Sequence, residues 1–469
     1  MDNSVMKRLI AVTGEQFAKH TVAQKLAYSY DATANFQAMP DLVLSPGNTA
    51  EIQEIVKICG EYNIPIVSRG SGTNLAAGTV PTSGGVVLLF NRMNHILDFD
   101  EENLTITVQP GVITKDINEV VQMKGLFYPP DPSSMKISTI GGNVSENSGG
   151  LRGLKYGVTK DYVIGLEVVL PNGEVIRTGG KLNKDVAGYD LTSLFVGSEG
   201  TIGIITEIIL SLIPLPKAKK TLLVFYDELD KAAETVSSII AAKIVPATLE
   251  FMDKGTIEHV EEYMKIGLPT DCEAMLLIEQ DGDPHTVNTD MDAVHKICME
   301  QGARSTQLAQ SAEEAVMLST ARRVALSVLA RKRPTTILED ATVPRSEIAN
   351  MVREIQRIAK KHDVMIYTFG HAGDGNLHPT CLTDVRDAEE MERVDAAFSE
   401  IFEAAIMLGG TITGEHGVGE MKAPYLEWKV GAAGIEVMKN IKQALDPKNI
   451  MNPGKIFAKD RKQRVVVQA

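Results

Sequence analysis

Cysteine is scarce in this sequence. Its 469 residues include four, Cys59, Cys272, Cys298 and Cys381, with no Cys-x-x-Cys pair among them. Such spacing excludes a cysteine-ligated iron–sulfur cluster held by this chain alone. Unpaired thiols fit a reducing cytoplasm. Long apolar runs are also missing. The longest, 202–215, is interrupted by Glu207 and Pro214, so no transmembrane segment is expected. The four-residue apolar patch after Lys7-Arg8 is too short for a secretory signal. Positive charge is in deficit, with 47 Lys and Arg against 61 Asp and Glu and a net charge of −14. That argues against nucleic acid as a partner, because nothing offsets phosphate repulsion. One local exception runs from Arg322-Arg323 to Arg331-Lys332-Arg333. It reads equally as a solvated helix face or as an anion-binding wall. These absences together lead us to expect a cytoplasmic protein.

What is present is an ordinary globular composition, 44% hydrophobic, in a chain long enough for two or three domains. Residues 1–38 read as a helical arm. Strands are expected at 41–44 and 64–67, around a helix from Ala50 to Tyr62 capped by Asn48 or Thr49. Thr114 is expected to cap a helix over 115–124. The stretch 128–160, rich in Gly, Pro, Ser and Asn, is expected to hold little regular structure, and loops of that length are usually functional. Strands return at 163–170 and 202–212. Pro214-Leu215-Pro216 marks a boundary. Beyond it, amphipathic helices are expected at 230–242, 291–301, 313–329, 345–362 and 388–407, with a last helix at 432–445.

The densest chemistry lies in Phe369-Gly-His371-Ala-Gly-Asp374-Gly375-Asn-Leu-His378 and in Gly414-Glu415-His416-Gly417. Asp-Gly between apolar runs is a strong signal for a two-residue hairpin turn. That turn would set His371 directly opposite His378, ~5 Å apart on one face, a good separation for two imidazoles on one metal ion. Glu415 could be a third ligand, leaving His416 for proton transfer. Three protein ligands with an open position describe a catalytic metal. The plainer alternative is a hairpin with packed or solvated histidine rings.

Glycine gathers in three further runs, 70–78, 139–150 and 197–203. The first follows an expected strand but fails the dinucleotide fingerprint, since Leu75 stands where the third glycine belongs and Pro81 stops a long helix. It also lacks the Lys-Ser/Thr end of a phosphate loop. Small residues remain, whose backbone N–H groups can line an anion, or which simply make a turn. Three such runs suggest a large flat ligand with a diphosphate.

Taken together, SRGSGTNLAAG (68–78), PPDPSS (129–134), TIGGNVSENSGG (139–150), KYGVTKDYV (155–163), GYDLTSLFVGSEGTIGIITE (188–207), GHAGDGNLH (370–378), GEHGVG (414–419) and NPGK (452–455) resemble the FAD-linked oxidases of the vanillyl-alcohol oxidase superfamily. The branch they resemble more closely contains D-lactate dehydrogenases, the flavin-carrying chain of glycolate oxidase and D-2-hydroxyglutarate dehydrogenase. The resemblance spans residues 40–455. It implies an α+β fold in which a split FAD-binding domain is covered by an α+β cap domain and completed by a C-terminal helical segment. The expected divisions are 1–38 (arm), 39–216 (FAD domain), 217–425 (cap and metal site) and 426–469 (C-terminal segment returning to the FAD domain).

Residue by residue, the resemblance implies that Arg69, Gly70, Ser71, Gly72, Thr73, Asn74 and Gly78 hold the diphosphate. Pro132, Ser133, Ser134, Gly141, Gly142, Ser145, Asn147 and Gly150 would line the ribityl chain and ring. Glu199, Gly200, Ile205 and Asn452 would add further FAD contacts. His371, His378 and Glu415 match metal ligands for zinc, iron or manganese, and His416 matches the catalytic base. Arg322 falls where members place a carboxylate-binding arginine, although Ser319 stands in place of their tryptophan. Ser71 occupies the loop that carries an attachment histidine in some relatives, which implies noncovalent FAD. The implied reaction is oxidation of a D-2-hydroxy acid, D-lactate to pyruvate first. Glycolate or D-2-hydroxyglutarate oxidation, or a noncatalytic flavin-binding role within an oxidase complex, are the alternatives. Electrons would pass to an electron-transferring flavoprotein or another redox partner protein.

Overall fold

The computed structural model describes residues 1–457; the rest of the expected C-terminal segment, 458–469, lies outside the described residues. Two compact units emerge. Within the described residues, the first collects Met1–Ser148, Val158–Leu215 and 415–457, and the second holds Gly149–Gly157 and Pro216–Gly414. All four cysteines are buried, unbridged thiols. No helix among the described residues is long and apolar enough to cross a membrane. The fold is of mixed α and β type.

In the first unit, Leu42–Leu44, Val86–Leu89 and Ile66–Arg69 lie side by side as parallel strands, with Ala18–Lys19 antiparallel at the edge. Parallel strands need a crossover. The helix Thr49–Tyr62 makes one, from Leu42–Leu44 to Ile66–Arg69 on either side of Val86–Leu89. Asn48 caps it, its side-chain oxygen accepting from Glu51 N at 2.9 Å, and Asn63 ends it at φ 51°. Ile52, Ile55, Val56 and Cys59 recur at helical spacing on its buried face. Val5 and Leu9 of the helix Asn3–Thr13 enter the same core, as do Ile450 and Met451. The C-terminal stretch joins this sheet region directly, because Ile66 bridges to Met451 and Asn452 N donates to Ile66 O at 2.8 Å.

A second sheet of this unit is antiparallel, in the order Ile96–Asp100, Thr105–Val108, Ile204–Ser211, Val163–Val169, Val175–Gly179. Two expectations fail nearby. Thr114 does not cap the helix Thr114–Gln122. It is buried, and its hydroxyl donates to Ser138 O instead, a local bond that competes with capping. The stretch 128–160 is not structureless either. Thr139 caps a helix at Ile140–Glu146, despite two glycines in its first turn. The cap and a buried apolar pair, Ile140 and Val144, outweigh glycine's low helix propensity.

The second unit is built on one eight-stranded antiparallel sheet. Its main path runs Ser305–Leu308, Ala218–Tyr226, Ala274–Gly282, Thr248–Asp253, Ile366–His371, Asn376–Thr383, Thr335–Leu338, with Ala341–Thr342 also paired to Asn376–Thr383. Helices pack on it through apolar stripes, as in Ile348–His362, which buries Ile348, Met351, Val352, Ile355 and Ile358. The expected helix 313–329 is two helices, Ala312–Arg323 and Ala325–Leu329, meeting at Val324.

Candidate functional site

The glycine-rich runs of the first unit meet in one cavity. Arg69 and Gly70 at the end of a strand, Gly78, Thr139, Gly141 and Gly142 at a helix start, Ser145, Glu146, Glu199, Gly200, Gly203 and Ile205 all line it. The wall is built from close backbone approach. A Cβ on Gly70 would lie 2.1 Å from Thr139 Oγ1, and one on Gly141 would lie 2.5 Å from Pro110 Cβ. At Gly142 the nearest atom to such a Cβ is Thr139 Oγ1 at 3.3 Å, and at Gly200 it is Ser68 Cβ at 3.8 Å. These two positions leave room on the cavity side. Arg69 is buried, its Nη1 donating to Thr79 Oγ1 at 3.2 Å, and burial draws its guanidinium below the ordinary arginine range. A cationic group among small residues and a helix start fits an anionic, flat cofactor.

The remaining residues expected around FAD are spread more widely. Gly72 lies at φ 71°, where a Cβ would meet Arg69 itself. The Ser71 hydroxyl donates to Ile137 O. Asn74 turns inward, its Oδ1 accepting from Ala76 N at 2.8 Å and Gly78 N at 2.6 Å, so the Gly78 amide is already used. Thr73 continues the same loop. Pro132 is buried, Ser133 exposed and Ser134 half-buried. Asn147 closes the helix at φ 54°, and Gly150 belongs to the second unit. Asn452 is a brace whose Nδ2 donates to Gly78 O at 2.9 Å and Glu199 O at 2.7 Å, while its buried Oδ1 has no hydrogen-bond partner among the described residues. Thr139 and Glu146 were missed, although both stand inside a quoted motif. Burial, reinforced by the negative charges of Glu199 and Asp31, pushes the Glu146 carboxyl well above the usual range.

In the second unit His371 and His378 do come together, but not through the expected turn. His371 pairs with Asn376, and His378 pairs with Phe369. The loop therefore holds four residues, 372–375, instead of two. Gly373 N is drawn to Leu249 O of a neighbouring strand at 2.9 Å, and Asp374 and Gly375 N both approach His371 O. The register moves by two residues, and side chains alternate with period two, so both rings stay on one face. They meet edge to face with centroids 4.9 Å apart.

Each ring is held by a carboxylate. His371 Nδ1 is 2.7 Å from Glu250 Oε1, and His378 Nδ1 is 3.1 Å from Asp340 Oδ1. A carboxylate on one ring nitrogen is the usual orienting partner of a metal-ligating histidine, so the chemistry of this donor pair suits a divalent metal. Arg322 joins the cluster. Its Nε lies 2.7 Å from Glu250 Oε2, its guanidinium stacks over Phe369 at 4.6 Å, and its buried Nη2 has no hydrogen-bond partner among the described residues. Glu250 and Asp340 were also missed. The only sequence trace of Glu250 is a charge set between apolar Leu249 and Phe251.

Asp340 further accepts from Thr413 Oγ1 at 2.9 Å and Gly414 N at 3.0 Å. Glu415 and His416 are the next two residues of the chain and are grouped with the first unit. There the His416 carbonyl accepts from Asn74 Nδ2 at 3.4 Å.

Residues 40–179 match the FAD binding domain model, and residues 215–456 match the C-terminal domain of FAD linked oxidases. The glycolate oxidase subunit GlcD of Bacillus subtilis (strain 168) is 66% identical over 464 residues, covering 99% of each chain. A D-lactate dehydrogenase of Anaerostipes hadrus is 35% identical, covering 92% of this chain and 93% of its own. Among solved structures, p-cresol methylhydroxylase superposes with a TM-score of 0.80 at 19% identity, covering 97% of this chain and 96% of that one. The last likeness is one of fold, the vanillyl-alcohol oxidase type. With both halves matched and relatives aligned over nearly the whole chain, this chain belongs to the FAD-linked oxidases.

Proposed function

We propose that this protein oxidises a small 2-hydroxy acid, using noncovalent FAD and a divalent metal. The observation that carries the reading is the buried cluster of two carboxylate-braced histidines beside an arginine with an unpartnered Nη2. Arg322 provides the charge-assisted clamp for the substrate carboxylate. His371 and His378, with Glu415 directly after the Asp340-bound Gly414, provide the metal ligands. Their imidazole and carboxylate donors suit zinc, iron or manganese. His416 takes the hydroxyl proton, a task an imidazole performs near neutral pH. Bound FAD would supply the acceptor for the α-hydride, and the metal would supply Lewis acidity at the hydroxyl.

The relatives are named for glycolate and for D-lactate. The 66% identity to a glycolate oxidase subunit makes glycolate the first acid to test, with D-lactate beside it. Being named a subunit, that relative also supports a redox partner for this chain, of the electron-transferring flavoprotein or iron–sulfur kind. Anaerobic mixing of the FAD-loaded protein with each acid should bleach the visible flavin band, and failure with glycolate, D-lactate and D-2-hydroxyglutarate alike would sink the reading. His378→Ala should keep flavin yet slow that bleaching more than about a hundredfold, because even orienting partners of a ligand cost ~10–100-fold. Full rates after exhaustive chelation, with metal shown absent by elemental analysis, would remove the metal from the scheme.

A further inference from the structure

The three glycine-rich runs do more than shape a cavity. Each commits one side chain to the same short stretch of backbone, residues 416–419, within the first unit. From the first run, Asn74 Nδ2 donates to His416 O at 3.4 Å. From the third, Glu199 accepts from Val418 N and from Gly419 N, both at 2.7 Å, one amide per carboxylate oxygen. From the second, Glu146 stands against Gly417. A Cβ there would lie 2.2 Å from Glu146 Oε2 and 3.3 Å from Glu199 Oε1. Gly417 and Gly419 have φ of 79° and 52°, and a Cβ on Gly419 would fall 1.8 Å from Ala76 O. The turn is thus seated by backbone approach that only glycine allows.

Glu199 is itself held in place. It adopts φ 52°, its N donates to Ser145 O at 2.8 Å, and its carbonyl accepts from Asn452. Such a well-braced, buried carboxylate accepting two amides is built for orientation. We propose that Glu199, with Asn74 and Glu146, is a positioning residue that seats the His416–Gly419 turn. The cavity that receives the cofactor would then also set the place of the proton acceptor. This inference rests on the proposed role of His416 for its functional consequence, but not for its structural one.

The test uses the full chain loaded with FAD and the variants Glu199→Ala, Glu199→Gln and Asn74→Ala. Hydrogen exchange at Val418 and Gly419 reads the seating directly, without substrate. Losing a charged acceptor should speed exchange there by at least roughly tenfold in Glu199→Ala, since hydrogen bonds to charged groups are worth ~1.5–3 kcal/mol. The rate of flavin reduction at saturating acid should fall by a similar factor with KM nearly unchanged. Glu199→Gln, which keeps one acceptor oxygen, should recover part of both. Should Glu199→Ala not fold, Glu199→Gln and Asn74→Ala carry the same comparison with smaller shifts. Unchanged exchange at 418–419 in the folded variants would overturn the proposal. So would variants that release FAD while the turn stays protected. If exchange quickens as expected but no acid bleaches wild-type flavin, the seating stands and the assigned reaction fails.

Discussion

The cavity of the first unit and the histidine cluster of the second solve different problems with different materials. In the cavity, recognition is mostly a matter of shape. Its wall is mainly glycine and small side chains, with Arg69, Glu146 and Glu199 among them, and at Gly70 and Gly141 the fit leaves no room for a Cβ. In the cluster, five charged or titratable side chains, Glu250, Arg322, Asp340, His371 and His378, lie at most 3% exposed and hold one another. A shape-built site is sensitive to added atoms. A charge-built site is sensitive to lost partners, because a buried charge left alone is costly. A substitution that fills the cavity should therefore act on ligand affinity, and one that removes a partner from the cluster should act on stability.

The largest effect expected from this contrast is at Glu250. Glu250→Ala strands the Arg322 guanidinium and removes the carboxylate brace of His371 at one stroke. Breaking a buried pair from one side costs about 3–5 kcal/mol, so the denaturant midpoint should drop sharply, with Glu250→Gln between wild type and Ala. A midpoint unchanged by Glu250→Ala would mean that the cluster is not held by charge.

A smaller effect separates two neighbouring glycines of the cavity. Gly141→Ala drives a methyl into Pro110 and should cost ~1–3 kcal/mol of stability, as overpacking does, with or without FAD. Gly142→Ala meets only Thr139 Oγ1 and fills cavity space. It should leave apoprotein stability near wild type while weakening FAD, measured as flavin retained on a desalting column. Equal behaviour of the two variants would erase the distinction between wall and lumen.

The smallest effect is a slope with pH. Burial raises the Asp253 carboxyl to about 6, against 3.8 for the free group, even though it accepts from Thr256 N and Thr368 N. A folded value above the unfolded one means that its contribution is complete below about pH 3.8 and is lost as pH rises through about 6. Unfolding followed from pH 4 to 7 should therefore show a fall that Asp253→Asn flattens. A wild-type and variant difference that does not change with pH would show that the carboxylate does not titrate in that window.

Much of this was legible beforehand because the signals were local. Asn48 before a helical stripe, glycine runs after expected strands, and two histidines at alternating positions all depend on near neighbours. The hairpin shows where locality ends. Asp374-Gly375 indicated a two-residue turn, yet Gly373 bonds Leu249, a residue far back in the chain, and the loop opened to four. Period-two alternation rescued the expectation that both rings share a face. Thr114 had the right residue type for a cap and was taken by Ser138 instead.

The sequence by itself determined the kinds of chemistry available: glycine-rich backbone for a large cofactor, imidazoles and carboxylates of the kind that can ligate a metal, no cysteine cluster and no long apolar span. Only the tertiary structure decided which carboxylate braces which ring, since Glu250 and Asp340 lie 121 and 38 residues from their histidines. It alone turned Asn74, Glu146 and Glu199 toward one turn of the C-terminal stretch. Residue type follows from the chain, but partnership between distant polar groups follows from which strands and loops fold against one another. Burial then makes each such partnership obligatory, because an unpaired polar group away from water is too costly to keep.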